Sequence, residues 1–144
     1  MKILLKENVE ISSDLSELLD EHRLASRQEI VTDTEEQFSF ALYDDDKLIG
    51  GLTAKVRLRE FYIILLAVSE VYRGQGLGRR LMLIAEEKAR ELNCRHMLLT
   101  TYSSQGLYFY PAVGFEELAR ISDFPSQNVD KVYFIKHLSE KIII

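Results

Sequence analysis

Two hydrophobic periods divide the chain. Phe38, Phe40 and Leu42 alternate with Ser39, Ala41 and Tyr43, the two-residue repeat of a half-buried strand. Residues 44–47 (Asp-Asp-Asp-Lys) read as a turn, and 48–58 as the strand that returns, making a β-hairpin. Gly50 and Gly51 interrupt the second strand and mark a bulge or a close backbone approach. Residues 61–68 are apolar on both faces, which predicts a buried central strand. The period then changes. Leu81, Ile84, Ala85 and Ala89 share one stripe of a helix over 79–92, with Glu86, Glu87 and Arg90 on its wet side.

Shorter signals complete the pattern. Residues 2–6 predict an opening strand. Ser12 or Ser13 caps a helix carrying Leu15, Leu18 and Leu19. Residues 97–101 predict another strand, and 105–112 a short helix that must accommodate Pro111. Gly114 ends that helix at positive φ, and Phe115 enters the core. Residues 115–121 and 131–138 predict closing strands around a loop at 123–130. The order β-α-β-β-β-α-β-α-β-β fits one three-layer α/β domain over residues 1–144.

Composition narrows the classes. The 144 residues suit one domain with a substantial core. Eighteen Lys and Arg against 23 Asp and Glu give a net charge of −5, which argues against nucleic acid or an anionic membrane as partner. Cys94 is alone, so no internal disulfide forms; it is expected as an inert buried thiol in an apolar strand. The N-terminus turns charged too early for a signal peptide, and no apolar run approaches the ~20 residues of a membrane span. A cytoplasmic protein without a metal site is expected. The apolar tail at 142–144 would pack on the body, pack on a second copy in a homodimer, or fray.

The chemistry concentrates in Arg73-Gly74-Gln75-Gly76-Leu77-Gly78, between the central strand and the long helix. Glycines here expose successive N–H groups near the positive helix end, a site for phosphate or pyrophosphate. A P-loop would place Lys and a hydroxyl residue after the glycines; Arg79 and Arg80 stand there instead. A dinucleotide fingerprint would follow the first strand of a βαβ unit, whereas this loop follows a hairpin.

Arg73-x-x-Gly76-x-Gly78 resembles the acyl-coenzyme-A signature of the GNAT N-acetyltransferase superfamily. The segment from Phe109 through Tyr110 and Gly114 to Phe115 resembles that family's later Phe-Tyr-x-x-x-Gly-Phe motif. The resemblance covers roughly residues 45–138. It implies a GNAT-like fold with a central mixed sheet and acetyl-CoA as acyl donor. It also implies that the backbone of Leu66 and Val68 holds the pantetheine arm. The N–H groups of Gln75, Gly76, Leu77, Gly78 and Arg79 would receive the pyrophosphate, with Arg73 either touching phosphate or bracing the loop. Gln105 would contact the pantetheine arm or fix its own loop.

For the reaction, the resemblance assigns Tyr110 as the acid that protonates the leaving thiolate, with Tyr108 and Tyr102 as alternatives. The Leu66 amide would polarise the thioester carbonyl. The position where many relatives carry a carboxylate base corresponds to Ile64, which cannot accept a proton. Glu60, Glu70, His22, His96 and His137 are the remaining titratable candidates. The expected activity is direct transfer of acetyl to a primary amine in a ternary complex. The acidic balance suggests a small amine such as a polyamine. A protein lysine or N-terminal amine is the alternative acceptor, and a non-catalytic acyl-CoA sensor the alternative function.

Overall fold

The computed structural model describes residues 1–25 and 34–138. The chain divides into two compact units, residues 1–32 and 33–144. In the first, α1 is Ser12–Ala25, preceded by Glu10, whose carboxylate accepts the Ser12 N–H at 2.9 Å. The strand expected at residues 2–6 is absent: those residues are irregular. Apolar side chains alone do not make a strand; its backbone groups need a partner ladder.

The second unit contains β1 (Glu36–Asp44), β2 (Lys47–Arg57), β3 (Glu60–Val68), α2 (Leu77–Glu91), β4 (His96–Tyr102), α3 (Phe109–Ala112), β5 (Glu116–Ile121) and β6 (Lys131–His137). The six strands form one mixed sheet in the order β1-β2-β3-β4-β6-β5. Among the described residues only β3 and β4 are parallel neighbours. The chain crosses between them through α2, the connection a parallel pair requires.

Three of the four residues of the helical stripe pack as their spacing predicts; Ile84 is half-buried, and Met82 takes a core place instead. Leu81, Met82, Ala85 and Ala89 are buried against Leu52, Ala54, Phe61, Ile63, Met97 and Leu99 of the sheet. Phe115, Val132 and Phe134 extend the same core. Glu86, however, is not on the wet side. It is half-buried and binds Lys136 Nζ and Arg90 Nη2, each at 2.8 Å.

Both glycine expectations in β2 hold. A Cβ on Gly51 would sit 3.0 Å from the Phe40 carbonyl oxygen, and the β1–β2 register shifts between Leu42 and Tyr43. Cys94 is buried, but in the turn before β4 rather than in a strand. Burial pushes its thiol pKa up, as suits an inert thiol.

The short helix is shorter than its pattern suggests. Gly106 adopts φ of +60°, the Gln105 N–H binds the Tyr102 carbonyl at 2.8 Å, and Thr101 Oγ1 donates to the Gln105 carbonyl at 3.2 Å. These bonds commit residues 105–108 to turns, so α3 begins at Phe109. Pro111 then falls within the first turn, where its missing N–H costs nothing. Gly114, with φ of +96°, closes α3 in the left-handed region.

Candidate active site

A wedge opens between the two parallel strands. β3 and β4 pair only over Glu60–Tyr62 with His96–Leu98, after which β3 continues to Val68 and β4 to Tyr102 without pairing to each other. The direction of the free peptide groups follows from the ladder on the other side of β3. The Ser69 N–H donates to the Ile49 carbonyl at 2.7 Å, so Ser69 faces β2. Alternation along an antiparallel ladder turns Val68, opposite Gly50, and Leu66, opposite Leu52, away from β2. Their N–H and C=O groups therefore face the wedge.

One of these groups is already engaged. Arg73 Nε donates to the Val68 carbonyl at 3.1 Å. Arg73 thus braces the start of the glycine loop to the end of β3, and the Val68 N–H and both Leu66 groups are left for a ligand in the wedge. A 3-10 turn, Glu70–Tyr72, links strand to loop. The Tyr72 hydroxyl donates to Asp44 at the β1–β2 hairpin. That bond raises the Tyr72 pKa, with burial a smaller contribution. The hairpin acid triplet therefore includes a structural acceptor.

The glycine loop has the character of an anion cradle. Gly74 and Gly76 have φ of +81° and +75°, and a Cβ on either would meet nothing within 4 Å. Their backbone is open to close approach, and glycine adopts those angles without the strain that a side chain brings. Gly76 is the N-cap of α2 and supplies no side-chain cap. The first intrahelical acceptance is from the Arg80 N–H to the Gly76 carbonyl at 3.0 Å. The N–H groups of Leu77, Gly78 and Arg79 are therefore without intrahelical acceptors at the positive helix end. The first turn of α2 contains no acidic residue. Gln75, Arg79 and Arg80 are exposed around it, and Arg79 Nη2 also donates to the Ala112 carbonyl at 3.3 Å. The donors and open glycine backbone fit a pyrophosphate, and the wedge edge fits an amide-bearing arm.

Tyr110 lies in an aromatic stack. Its ring centroid is 5.3 Å from that of Phe109, 6.2 Å from Phe115 and 5.5 Å from Phe134. Burial raises its phenol pKa, so it is a protonated group at neutral pH. The hydroxyl has no hydrogen bond among the described residues, yet it is not among the sealed, unpartnered polar atoms. Tyr108 is exposed and Tyr102 half-buried at the end of β4. Gln105 is exposed in the turn before α3, where its backbone, not its side chain, fixes the loop.

Three titratable candidates, Glu60, His96 and His137, gather at the closed end of the wedge. Glu60 Oε1 meets His96 Nε2 at 3.0 Å at the closed end of the wedge. That is about 20 Å along β3 from Leu66, at the usual strand rise. His137, the register partner of His96 with ring centroids 6.4 Å apart, pairs with Glu116 at 3.5 Å. Glu70 is exposed on the 3-10 turn. Ile64 falls at the β2–β3 register shift and is 45% exposed. The bulge presents Ile64 and Leu65 side by side, and neither can take a proton.

Sequence reading missed four contacts: Glu86 with Lys136, Tyr72 with Asp44, and Lys131 with both Phe124 and Tyr133. Glu86 and Lys136, and Tyr72 and Asp44, are far apart along the chain, and no local spacing announces them. Among the described residues no helix is long and apolar enough to cross a membrane.

Known proteins share this fold. The model of the Acetyltransferase (GNAT) family matches residues 5–115, and the chain belongs to that family. The family's acetyltransferases use acetyl-CoA. Blasticidin-S acetyltransferase of Streptomyces morookaense is 36% identical over 88 residues, covering 60% of this chain and 65% of that protein. N-alpha-acetyltransferase 30 of Dictyostelium discoideum is 26% identical over 114 residues, covering 75% of this chain and 62% of that one. The chain thus spans less than two thirds of these relatives' lengths. A crystal structure of an acetyltransferase from Bacillus cereus superposes with a TM-score of 0.78 at 25% identity, covering 94% of this chain and 98% of the other.

Proposed function

We propose that the protein is an acetyl-CoA-dependent N-acetyltransferase that acetylates a primary amine by direct attack, with a small molecule as acceptor. The observation that carries this reading is the wedge, whose free Leu66 N–H and C=O and Val68 N–H lead into the open glycine cradle at α2. The family match runs across the boundary between the two units, which supports reading residues 1–144 as one functional domain.

When bound, acetyl-CoA supplies an activated thioester. In this reading Gln75, Gly76, Leu77, Gly78 and Arg79 hold the pyrophosphate through backbone N–H groups. Leu66 and Val68 orient the pantetheine arm, and the Leu66 amide stabilises negative charge on the carbonyl oxygen. Tyr110 delivers a proton to the departing sulfur; its raised pKa keeps that proton in place until the thiolate develops. Among the described residues Glu60, His96 and His137 are engaged in pairs away from Leu66, so in this reading the amine enters neutral or loses its proton through water. Positioning supplies the main acceleration.

Thiol release from acetyl-CoA over a panel of primary amines tests this function. Turnover with at least one amine is the expected result. Ile64 favours one other reading, a domain that binds acyl-CoA without turnover. Stoichiometric CoA binding with no thiol release from any amine, peptide N-termini included, would establish that reading and sink ours. Relatives that act on blasticidin-S and on N-terminal amines support both acceptor classes.

A further inference from the structure

The acceptor side of the wedge carries a positive charge that the donor does not need. Lys131 Nζ lies 5.3 Å from the ring centroid of Phe124 and 5.4 Å from that of Tyr133. Strand alternation sets its direction. Val132 and Phe134 are buried in the core that packs on α2, so Lys131 and Tyr133 project from the opposite face. Register sets its level. The last β3–β4 pair is Tyr62 with Leu98; beyond it both strands run on towards the open end of the wedge, where Tyr102 closes β4 and pairs with Lys131.

The α2 face belongs to the core and, in our reading, to the donor. An amine must therefore reach the thioester from the face on which Lys131 projects. Two aromatic rings hold an ammonium in place without neutralising it. Among the described residues no carboxylate is paired with Lys131. The nearest acid in sequence, Asp130, binds Arg120 at 3.0 Å. On the same face Lys55 Nζ lies 5.4 Å from the Tyr62 ring centroid and adds to the positive field.

Resting on the acetyl-transfer reading, we infer that Lys131 is a specificity residue that pairs with an anionic group, a carboxylate, on the amine acceptor. The acceptor class is then an amino acid or another carboxylate-bearing amine, not the polycation that the net charge of the chain suggests. A polyamine would bring like charge to Lys131.

The test uses phenylalanine and phenylalaninamide, which differ in the carboxylate. Binding of each to the full-length protein saturated with CoA is measured by calorimetry, beside thiol release from acetyl-CoA. Phenylalanine should bind at least ten-fold more tightly than the amide. Lys131→Gln should remove that difference, and Lys131→Arg should retain it, with thermal stability of both variants near wild type. The inference is overturned if neither compound binds, if the two bind equally, or if the preference survives Lys131→Gln. Carboxylate-selective binding without thiol release would leave it standing and count against acetyl transfer alone.

Discussion

A Cβ built on Gly78 would lie 3.3 Å from Cζ of Phe109. The third glycine of the phosphate loop is thus a packing glycine. It lets the first turn of α2 approach α3, so the two sequence motifs touch. Gly74 and Gly76 serve a different purpose, since both adopt positive φ and face open space. Gly78→Ala has opposing effects: alanine favours the helix by about 1 kcal/mol, while the ring must shift by a few tenths of an ångström. The net change in stability should stay within about 1 kcal/mol. Gly78→Val should cost about 1–3 kcal/mol through overpacking. Combined with Phe109→Ala it should cost less than the sum of the two single changes. Denaturant unfolding of the four proteins measures that coupling; strict additivity would remove the contact.

Arg73 is expected to act on donor affinity. Its bond to the Val68 carbonyl fixes the loop to β3. Arg73→Ala should raise the KM for acetyl-CoA about ten-fold, equivalent to roughly one hydrogen bond to a charged group, with kcat little changed. Arg73→Gln can still donate to the carbonyl and should recover part of the loss. Initial-rate kinetics at varied acetyl-CoA separates the two parameters.

Tyr110→Phe should lower kcat by about 10²-fold, the lower range for a general acid, while the dissociation constant for CoA is unchanged. Burial raises the phenol pKa. The folded protein therefore keeps that proton where the unfolded chain has begun to lose it. The stabilisation is complete below the unfolded value, about 10, and is lost as pH rises through the higher folded value. Alkaline unfolding of wild type and Tyr110→Phe should diverge there and coincide at neutral pH. Equal kcat in the two proteins would take the acid role from Tyr110.

Glu86 and Lys136 join α2 to β6. Burial alone would raise the Glu86 pKa, but hydrogen bonds from Lys136 and Arg90 and their charges lower it overall. A lowered folded pKa gives stability that is present above the unfolded value, about 4.3, and lost as pH falls through the folded one. Glu86→Gln should cost about 1–3 kcal/mol at pH 7 and much less near pH 3. Lys136 also donates to the Val113 carbonyl at 3.0 Å, so Lys136→Met should lose more than Glu86→Gln. Urea denaturation at the two pH values distinguishes these outcomes.

The sequence by itself determined what is local. The two-residue repeat of β1, the apolar run of β3 and the stripe of α2 follow from backbone periodicity and the burial of one face. The glycine loop was legible because positive φ and close approach restrict residue type within a few positions. Other elements depended on partners far along the chain. Residues 2–6 have strand composition and no ladder, and residues 105–108 have helical composition but are held in turns by Tyr102 and Thr101. Tertiary structure alone decided that β3 and β4 separate beyond Tyr62, because pairing is a relation between strands and not a property of either. It also turned Leu66 and Val68 into the wedge, seated Tyr110 among Phe109, Phe115 and Phe134, and set Lys131 between Phe124 and Tyr133. Those placements come from register and packing across the sheet, where long-range contacts outweigh local preference.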